Sequence, residues 1–457
     1  MSNKESNKKY FKQALHLIDN WLDFQTYFKE IPGIAVGIFC EDEVIFKKEY
    51  GYADLENKIK LTDQHLFRIA SHSKLFTATA IMKLYHEGKL STDDKISKHL
   101  PWFTSDNDEN LQHVRIQHLL THSSGISRDG KLAQWSIHKF PEINDIKEQI
   151  RKGLSFFEIS ETLKYSNYGF TILGQIVEAV LGQSYQEYIQ KEILEPLNMN
   201  HTVVDVDESN IKKHAIGYGI KYPGKDREKF EHIPANVMHA ATGLSSSVDD
   251  LVKFYQAHFL GNDILFPDYI KREMQRVHFK SEGSERGLGF GIEKINDVKF
   301  IGHGGGYPGF ITRSGLIQDK KIIVVVLTNA IDGPAAILAF GIIKILELVT
   351  KEKEKLFAKQ DDKELDVKDV IGFYKSDWGT SLFSKIGSKL VLITPGADNP
   401  AEFLLIYEHK KNQTFTAPKK SPYSSPGEDI EFIDDPDGKK IFVDAHKGEN
   451  KRFEFNY

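Results

Sequence analysis

The 457-residue chain contains one cysteine, Cys40, which excludes a disulfide within the chain. Cys40 ends the apolar run that begins at Ile34, so we expect a small buried side chain rather than a reactive thiol. The formal net charge is only -5, which indicates neither a nucleic-acid-binding protein nor a polyacidic tail. Long apolar runs are also missing, because the longest, 322–327 and 336–349, are too short or too interrupted to span a bilayer.

The first 28 residues lack the uninterrupted apolar segment of a secretory signal. Their apolar side chains Phe11, Leu15, Ile18 and Leu22 are instead spaced for one face of an amphipathic helix. We therefore expect a cytoplasmic protein with no membrane partner and no nucleic-acid partner. A small-molecule or peptide substrate is the expected partner, and the sequence leaves the oligomeric state open.

The order of apolar patterns predicts the fold class. With 40% hydrophobic residues the chain can bury a substantial core, and its length predicts two or three domains. Apolar runs at 34–39 and 44–50 predict a hairpin, after which helical spacing dominates the middle of the chain. Runs between 289 and 327 predict consecutive antiparallel strands, followed by a helix over 334–349. This order predicts an α+β fold, in which both ends of the domain share one antiparallel sheet beside flanking helices and an all-helical region.

Composition predicts where the domains divide. We expect the first domain to span residues 1–350 and a linker to cover residues 351–366, which are rich in Lys, Glu and Asp. Residues 367–457 contain short predicted strands from Lys389 onwards, separated by turn residues such as Asp437-Gly438. They are predicted to form a separate small all-β domain.

Ser71 and Lys74 lie three residues apart at the start of a predicted amphipathic helix, so their side chains share one face. A serine hydroxyl is a poor nucleophile at neutral pH and needs a neighbouring base, which a partly desolvated lysine can supply. The helix N-terminus adds backbone donors close to a developing oxyanion. Such a pair also arises by chance, and the alternative is an N-cap serine beside a solvated lysine.

Two further segments carry groups that suit the same chemistry. Tyr165 and Asn167 lie at the start of another predicted helix, where a phenol can pass protons to a leaving group and later activate water. A tyrosine packed on a helix start is the alternative for this segment. His303 precedes glycines 304–306 between two predicted strands, where glycine lets the backbone approach a bound acyl group and present an N–H.

Together and in this order, the three segments resemble the signature of the penicillin-binding-protein and serine β-lactamase superfamily: Ser-x-x-Lys, then Tyr-x-Asn, then Lys/His-x-Gly. The resemblance covers roughly residues 10–350. It is closest to the branch of class C β-lactamases and D-alanyl-D-alanine carboxypeptidases, because Tyr165-Ser166-Asn167 replaces the Ser-Asp-Asn of class A. The region from Asp366 to Tyr457 resembles the small lipocalin-like β-barrels that are appended to many of these hydrolases. Further segments that look like this family are 119–126, 165–199, 242–251 and 301–310.

The resemblance implies a role for each residue that matches the signature. Ser71 would form the acyl-enzyme, and Lys74 would help to deprotonate it. Tyr165 would relay protons in acylation and deacylation. Asn167 would hold both Lys74 and the acyl side chain.

The resemblance also implies substrate-binding residues in the glycine segment. The N–H groups of Ser71 and Gly306 would form the oxyanion hole, with Gly305 in the same substrate-binding stretch. His303 would orient Tyr165 and meet a substrate carboxylate, at a position that is usually Lys in class C β-lactamases. A histidine is only partly cationic near pH 7. We therefore expect a peptidase, D-aminopeptidase, amidase or esterase at least as much as an enzyme with high β-lactam turnover.

Other classes of protein fit the sequence less well. The run 303–306 also looks like the oxyanion loop of lipase-type α/β-hydrolases, but the Gly-x-Ser-x-Gly nucleophile elbow of that fold is absent. The 18 histidines include no His-Glu-x-x-His motif, so no metal and no other cofactor is expected. His72, His86 and His122 are expected to be surface or hydrogen-bonded polar residues. A protein that binds peptides or β-lactams without turnover, or a true β-lactamase, is the alternative function.

Overall fold

The computed structural model describes residues 7–281, 283–357, 366–419, 426–444 and 447–455. The chain divides into two compact units, one of Pro32–Ala336 and one of Met1–Ile31 together with Ile337–Tyr457. The domain limits given above stay a prediction, and residues 358–365 of the predicted linker lie outside the described residues.

The helices fall largely in the middle of the chain, as expected from the apolar spacing. They are α1 Lys8–Phe28, α2 Ser73–His86, α3 Ile96–His99, α4 Ile116–Leu120, α5 Gln134–Ile137, α6 Ile143–Arg151, α7 Asn167–Leu181, α8 Tyr185–Ile189, α9 His239–Thr242, α10 Val248–Ala257, α11 Asp268–Gln275, α12 Ala335–Lys351 and α13 Lys353–Leu356. Short 3-10 helices cover Ala70–His72, Glu109–His113, Ile211–Lys213 and Asn236–Met238, and a π-helix covers Gln190–Leu194.

The strands fall in an early group and a late group. They are β1 Gly33–Cys40, β2 Glu43–Asp54, β3 Ile59–Lys60, β4 Phe67–Arg68, β5 Gly217–Tyr218, β6 Lys229–Phe230, β7 Ser245–Ser246, β8 Phe279–Ser281, β9 Ser284–Arg286, β10 Gly291–Ile295, β11 Val298–Tyr307, β12 Phe310–Ile317, β13 Ile322–Thr328, β14 Gly372–Ser376, β15 Gly379–Ile386, β16 Lys389–Ile393, β17 Leu405–Lys411, β18 Thr414–Thr416, β19 Asp429–Asp434, β20 Lys440–Val443 and β21 Glu449–Phe453.

A nine-stranded sheet organises the unit of residues 32–336, with the strand order β3-β2-β1-β13-β12-β11-β10-β9-β8. The antiparallel pairing of β1 with β13 sets Ile34 opposite Thr328, so the predicted sheet shared by both ends of the domain is confirmed. Every residue of β1 and β13 is buried, which explains why both strands are continuous apolar runs. Gly37 of β1 is needed for close packing, because a Cβ there would lie 2.3 Å from Val248 of α10.

Strand β11 is longer than predicted. The sequence pattern indicates a strand over 298–301 with the glycines after its end, whereas the structure continues the strand to Tyr307. The reason is that main-chain pairing needs no side chains, and β12 pairs with the glycine stretch from His303 opposite Ser314 to Gly306 opposite Ile311. The candidate glycines therefore lie in a fixed sheet rather than in a connecting loop.

The helical region is built around α2, which is buried along almost its whole length. The ring of Phe76 on α2 stacks on Phe254 of α10 with 4.1 Å between centroids. Helices α7 and α9 approach closely, because a Cβ on Gly174 would lie 2.6 Å from the Cβ of Ala240. This packing brings α2, α7 and α9 together and fixes the side chains at their N-terminal ends.

Strands β14 to β21 form a closed barrel in the other unit. Closure comes from the pairing of β14 with β21, where Phe373 lies opposite Phe453. Aromatic rings fill the interior, and the Phe383 ring contacts the rings of both Phe432 and Phe442 at 5.1 Å between centroids. The predicted small all-β domain is therefore a barrel, although β14 and β15 precede the first strand that the sequence predicts.

Helix α1 packs against this barrel within the same unit. Gln25 donates from Nε2 to the carbonyl oxygen of Pro395 at 2.7 Å. The ring of Phe24 stacks on Phe373 of β14 at 5.5 Å between centroids.

In the described part of the chain, no helix combines the length and the apolar character that a membrane span needs.

Candidate active site

Ser71 lies in the 3-10 turn Ala70–His72, directly before α2, and its side chain is half-buried. Ala70 has a φ of 49°, a left-handed conformation that costs energy for a residue with a Cβ. Ser73 supports this turn, because its Oγ donates to the Ala70 carbonyl at 2.6 Å and accepts from the Leu244 N–H at 2.9 Å. The turn thus presents Ser71 while Ser73 is fully buried and hydrogen-bonded.

Lys74 is fully buried, and its Nζ lies 3.2 Å from Ser71 Oγ. Nζ also donates to Asn167 Oδ1 at 2.7 Å and to the carbonyl oxygen of Ala241 at 2.8 Å. Burial lowers the pKa of Lys74 well below its usual range, because the ammonium loses its hydration. The predicted pairing of Ser71 with a lysine on one helix face is therefore present in the structure.

Tyr165 lies beside both residues, at the N-terminal side of α7. Burial raises the pKa of Tyr165 to about 12, although the neighbouring Ser71 hydroxyl lowers it in part. The Lys74 Nζ atom lies 4.9 Å from the centroid of the Tyr165 ring. With this pKa the phenol keeps its proton at neutral pH, so Lys74 is the stronger candidate for the base.

His122 fixes the segment that carries Tyr165. Its Nδ1 accepts a hydrogen bond from the backbone N–H of Ser166 at 3.1 Å, and its ring lies 4.3 Å from the Tyr165 ring. Burial lowers the pKa of His122 well below its usual range, which leaves a neutral ring with the proton on Nε2. His122 is therefore hydrogen-bonded, which is one of the two expected states, and it is buried against Tyr165 rather than at the surface.

Asn167 is the first residue of α7 and links Lys74 to a carboxylate. Its Oδ1 accepts from Lys74, and its Nδ2 donates to Asp129 Oδ1 at 2.6 Å. Ser166 caps the helix, since its Oγ accepts from the Gly169 N–H at 2.8 Å. Asp129 was not singled out from the sequence, and the polar turn around it gives only a loop signal.

His303 points a buried imidazole at the same cluster, with its ring 6.2 Å from the Tyr165 ring. Nδ1 lies 2.5 Å from the carbonyl oxygen of Gly304, so Nδ1 carries the proton and Nε2 is an acceptor. Burial lowers the pKa of His303 well below its usual range, and nearby Lys74 and Arg286 lower it further. Burial therefore disfavours the imidazolium that a partly cationic histidine at this position would need.

The two candidate glycines of β11 differ in their surroundings. A Cβ on Gly305 would lie 2.3 Å from the Ile69 carbonyl oxygen and 2.4 Å from Thr312 Oγ1. Gly306 is exposed, and a Cβ there would meet only the Ile311 side chain at 3.5 Å. Gly305 therefore lets β11 touch the turn that carries Ser71, whereas Gly306 leaves room for a Cβ in ordinary contact with Ile311.

Arg286 brings a cation to this cluster from β9. Its charge acts on Lys74, Tyr165 and His303, and its buried Nε has no hydrogen-bond partner among the described residues. Burial lowers the pKa of Arg286, although its guanidinium stays charged at neutral pH. Nothing in the local sequence of Arg286 distinguishes it from other surface arginines.

Among the described residues there is no group of His, Cys, Asp or Glu side chains that could hold a metal ion.

The chain matches a known family and known proteins. Residues 23–344 match the family model described as Beta-lactamase. Protein flp of Staphylococcus aureus (strain MRSA252) is 29% identical over 320 residues, which are 68% of this chain and 62% of that relative. Penicillin-binding protein 4* of Bacillus subtilis (strain 168) is 29% identical over 308 residues, which are 63% of this chain and 66% of that relative. The matches thus span less than two thirds of the length of these relatives.

A solved structure has a similar fold over nearly the whole chain. It is the octameric penicillin-binding protein homologue from Pyrococcus abyssi, with a TM-score of 0.65 and 25% sequence identity. The similarity covers 96% of this chain and 100% of that chain. Because the family model matches well over half of the 457 residues, this chain belongs to the Beta-lactamase family.

Proposed function

We propose that this chain forms an acyl-enzyme on Ser71 and hydrolyses a peptide, amide or ester bond. The observation that carries the proposal is the 3.2 Å contact between the buried Lys74 Nζ and Ser71 Oγ. Burial weakens the hold of Lys74 on its proton, and the neutral amine is then a base within reach of the hydroxyl. Ser73 is disfavoured as the nucleophile because its hydroxyl is already bonded on both sides.

In the proposed acylation, Lys74 accepts the hydroxyl proton while Ser71 Oγ bonds to the substrate carbonyl carbon. The carbonyl oxygen takes up the negative charge, which the N–H groups of Ser71 and Gly306 would stabilise. When the bond to the leaving nitrogen or oxygen breaks, Tyr165 gives that atom its proton and recovers one from Lys74. In deacylation a water molecule gives its proton to the same pair and attacks the ester, which releases the acid and restores Ser71.

The charges around the cluster favour a substrate that carries a carboxylate or another anionic group. His303 is neutral, so it would act as a hydrogen-bond acceptor at Nε2 rather than as a counter-charge. Arg286 supplies a cation whose buried Nε is unpartnered among the described residues. We therefore assign the counter-charge for an anionic substrate group to Arg286, and the orientation of Tyr165 to His303.

The experiment that tests the function combines a chromogenic ester with intact-mass measurement. The protein should show a burst, then steady turnover, and an adduct that peptide mapping assigns to Ser71. Ser71→Ala should lose burst, turnover and adduct while keeping its unfolding temperature. An adduct on Ser73 or Ser123 would overturn the assignment, and a burst without turnover would favour the alternative of a protein that binds without turnover.

A panel of substrates tests the bond class. The panel comprises neutral esters, D- and L-aminoacyl amides, peptides ending in D-Ala-D-Ala, and β-lactams. Ranking kcat/KM across it separates an esterase, an amidase, a carboxypeptidase and a β-lactamase.

Because the Pyrococcus abyssi homologue is octameric, we include self-association in the proposal, and light scattering of the purified chain measures it.

A further inference from the structure

Asp129 ends a hydrogen-bonded chain that starts at the base. Lys74 Nζ donates to Asn167 Oδ1 at 2.7 Å, and Nδ2 of the same amide donates to Asp129 Oδ1 at 2.6 Å. The opposite orientation of the amide would set its NH2 group against the lysine and its oxygen against the carboxylate, and both contacts would be repulsive. The carboxylate thereby fixes which end of Asn167 faces Lys74.

Asp129 is itself held in place. The guanidinium Nε of Arg128 lies 3.2 Å from Asp129 Oδ2, and the backbone N–H of Asn167 donates to the Arg128 carbonyl oxygen at 2.8 Å. The Arg128 side chain is 64% exposed, whereas that of Asp129 is 18% exposed. The loop that carries Asp129 is thus bonded to the first turn of α7 through both backbone and side chain.

The charges that act on Lys74 come from two places in the fold, the loop of residues 128–129 and strand β9. Asp129 favours the ammonium, whereas Arg128 and Arg286 oppose it. The other titratable groups around Lys74 are Tyr165, with its proton retained, and three rings that burial keeps neutral. These rings belong to His72, His122 and His303. Within the described residues, Asp129 is therefore the carboxylate that offsets the loss of hydration at this lysine.

A buried lysine that acts as a base needs a balance between burial, which favours the neutral amine, and nearby negative charge, which favours the ammonium. Complete burial without an anion would make Lys74 neutral but only weakly basic, and a closely paired carboxylate would keep it protonated and inactive. Asp129 acts through an intervening amide and therefore lies between these limits. Its charge reaches Lys74, while the group that directly accepts a hydrogen bond from Nζ is the neutral Asn167 amide.

We propose that Asp129 is a positioning residue that orients the Asn167 amide towards Lys74 and sets the pH range in which Lys74 accepts the proton of Ser71. This inference rests on the proposed acyl-enzyme function. It extends that function by assigning control of its pH dependence to a residue outside the three signature segments. The same geometry gives Arg128, the neighbour of Asp129, the opposite effect.

The test measures the second-order rate constant for labelling by a fluorophosphonate probe between pH 5 and pH 10 in the full chain. The labelling rate should fall towards low pH as Lys74 becomes protonated, and we call this falling part of the pH profile its acid limb. Asp129→Asn keeps the shape and an acceptor but removes the charge, so this acid limb should move to lower pH by about one unit. Arg128→Gln removes a cation and should move the limb to higher pH. Asp129→Ala also releases the Asn167 amide, so its plateau rate should fall by about tenfold.

A matched control separates a local effect from a change in overall charge. Glu148→Gln on α6 removes one negative charge from an exposed side chain and should leave the acid limb unchanged. Equal shifts in Asp129→Asn and Glu148→Gln would overturn the inference. Unchanged limbs in Asp129→Asn and Arg128→Gln, with the wild type labelled on Ser71, would overturn it while the proposed function stands. If Asp129→Asn does not fold, the position of the acid limb in Arg128→Gln is the deciding measurement. An acid limb that does not move to higher pH in Arg128→Gln then overturns the inference.

Failure of the proposed function has a different signature. Wild-type protein would then carry no label on Ser71, or the label would persist in Ser71→Ala. Neither result depends on the substitutions at Asp129 and Arg128.

Discussion

The Cβ position of Gly305 lies 2.3 Å from the carbonyl oxygen of Ile69, which is closer than a real side-chain carbon can sit. Strand β11 therefore touches the turn that carries Ser71 only because residue 305 has no side chain. Two parts of the proposed oxyanion hole, the turn and the strand, are thus held at a distance that one methyl group would change.

We predict that Gly305→Ala will separate the strand from the turn and destabilise the protein by about 1–3 kcal/mol. Labelling of Ser71 by a fluorophosphonate should fall more than the unfolding temperature accounts for, because the geometry of the site changes. Gly306→Ala is the matched control, since its Cβ has room and should leave the unfolding temperature unchanged. Equal stability of the two variants would show that the contact at Gly305 relaxes without cost.

Lys74 and Tyr165 should behave as one unit in proton transfer. We predict that Lys74→Met and Tyr165→Phe each lower the acylation rate by about 100-fold to 10,000-fold. The double variant should lose less than the product of the two losses, because removing one partner already breaks the relay. Rapid-mixing measurements of the ester burst provide the rates. Independent, multiplicative losses would mean that one of the two residues does not transfer protons.

Arg286 and His303 should differ in their effect on charged substrates. We predict that Arg286→Gln lowers kcat/KM for carboxylate-bearing peptides at least tenfold more than for neutral esters, because a charged hydrogen bond is lost. Since the pKa of His303 is depressed, activity should show no fall near pH 6.5 from loss of an imidazolium. His303→Lys should instead damage both substrate classes. A selective fall for carboxylate substrates above pH 6.5 in the wild type would restore the charged-histidine role.

Buried neutral histidines should make the protein sensitive to acid. His258 is fully buried, and burial lowers its pKa to about 4, whereas the unfolded chain titrates near 6.5. The contribution of neutral His258 to stability is fully present above pH 6.5 and is lost as the pH falls towards 4. The loss in the free energy of unfolding is about 2 kcal/mol by pH 5. His258→Gln cannot titrate, so its free energy of unfolding should fall less between pH 7 and pH 5. Identical slopes for the two proteins in urea titrations would contradict this assignment.

The local part of the site follows from the sequence, because short-range backbone geometry decides it. Ser71 and Lys74 share a face since three residues make nearly one helical turn, and their observed contact requires little else. Ser184 and Glu187 form a capping box at the start of α8, which likewise depends only on their three-residue spacing. The sequence pattern also predicted that both ends of the domain share one sheet, and the antiparallel pairing of β1 with β13 provides it.

Only the tertiary structure showed that Asp129 and Arg286 act on Lys74. The family resemblance alone implied that Asn167, which lies 93 residues from Lys74, would hold it. Asp129 lies 38 residues from Asn167, and no periodicity in the sequence relates the two. Arg286 joins the cluster through β9 of the sheet, and its local sequence gives no sign of this. The direction in which the pKa of His303 shifts could not be predicted for the same reason. Residue type gives the pKa of an exposed imidazole, whereas burial beside Lys74 and Arg286, which depends on long-range packing, determines its value in the folded chain.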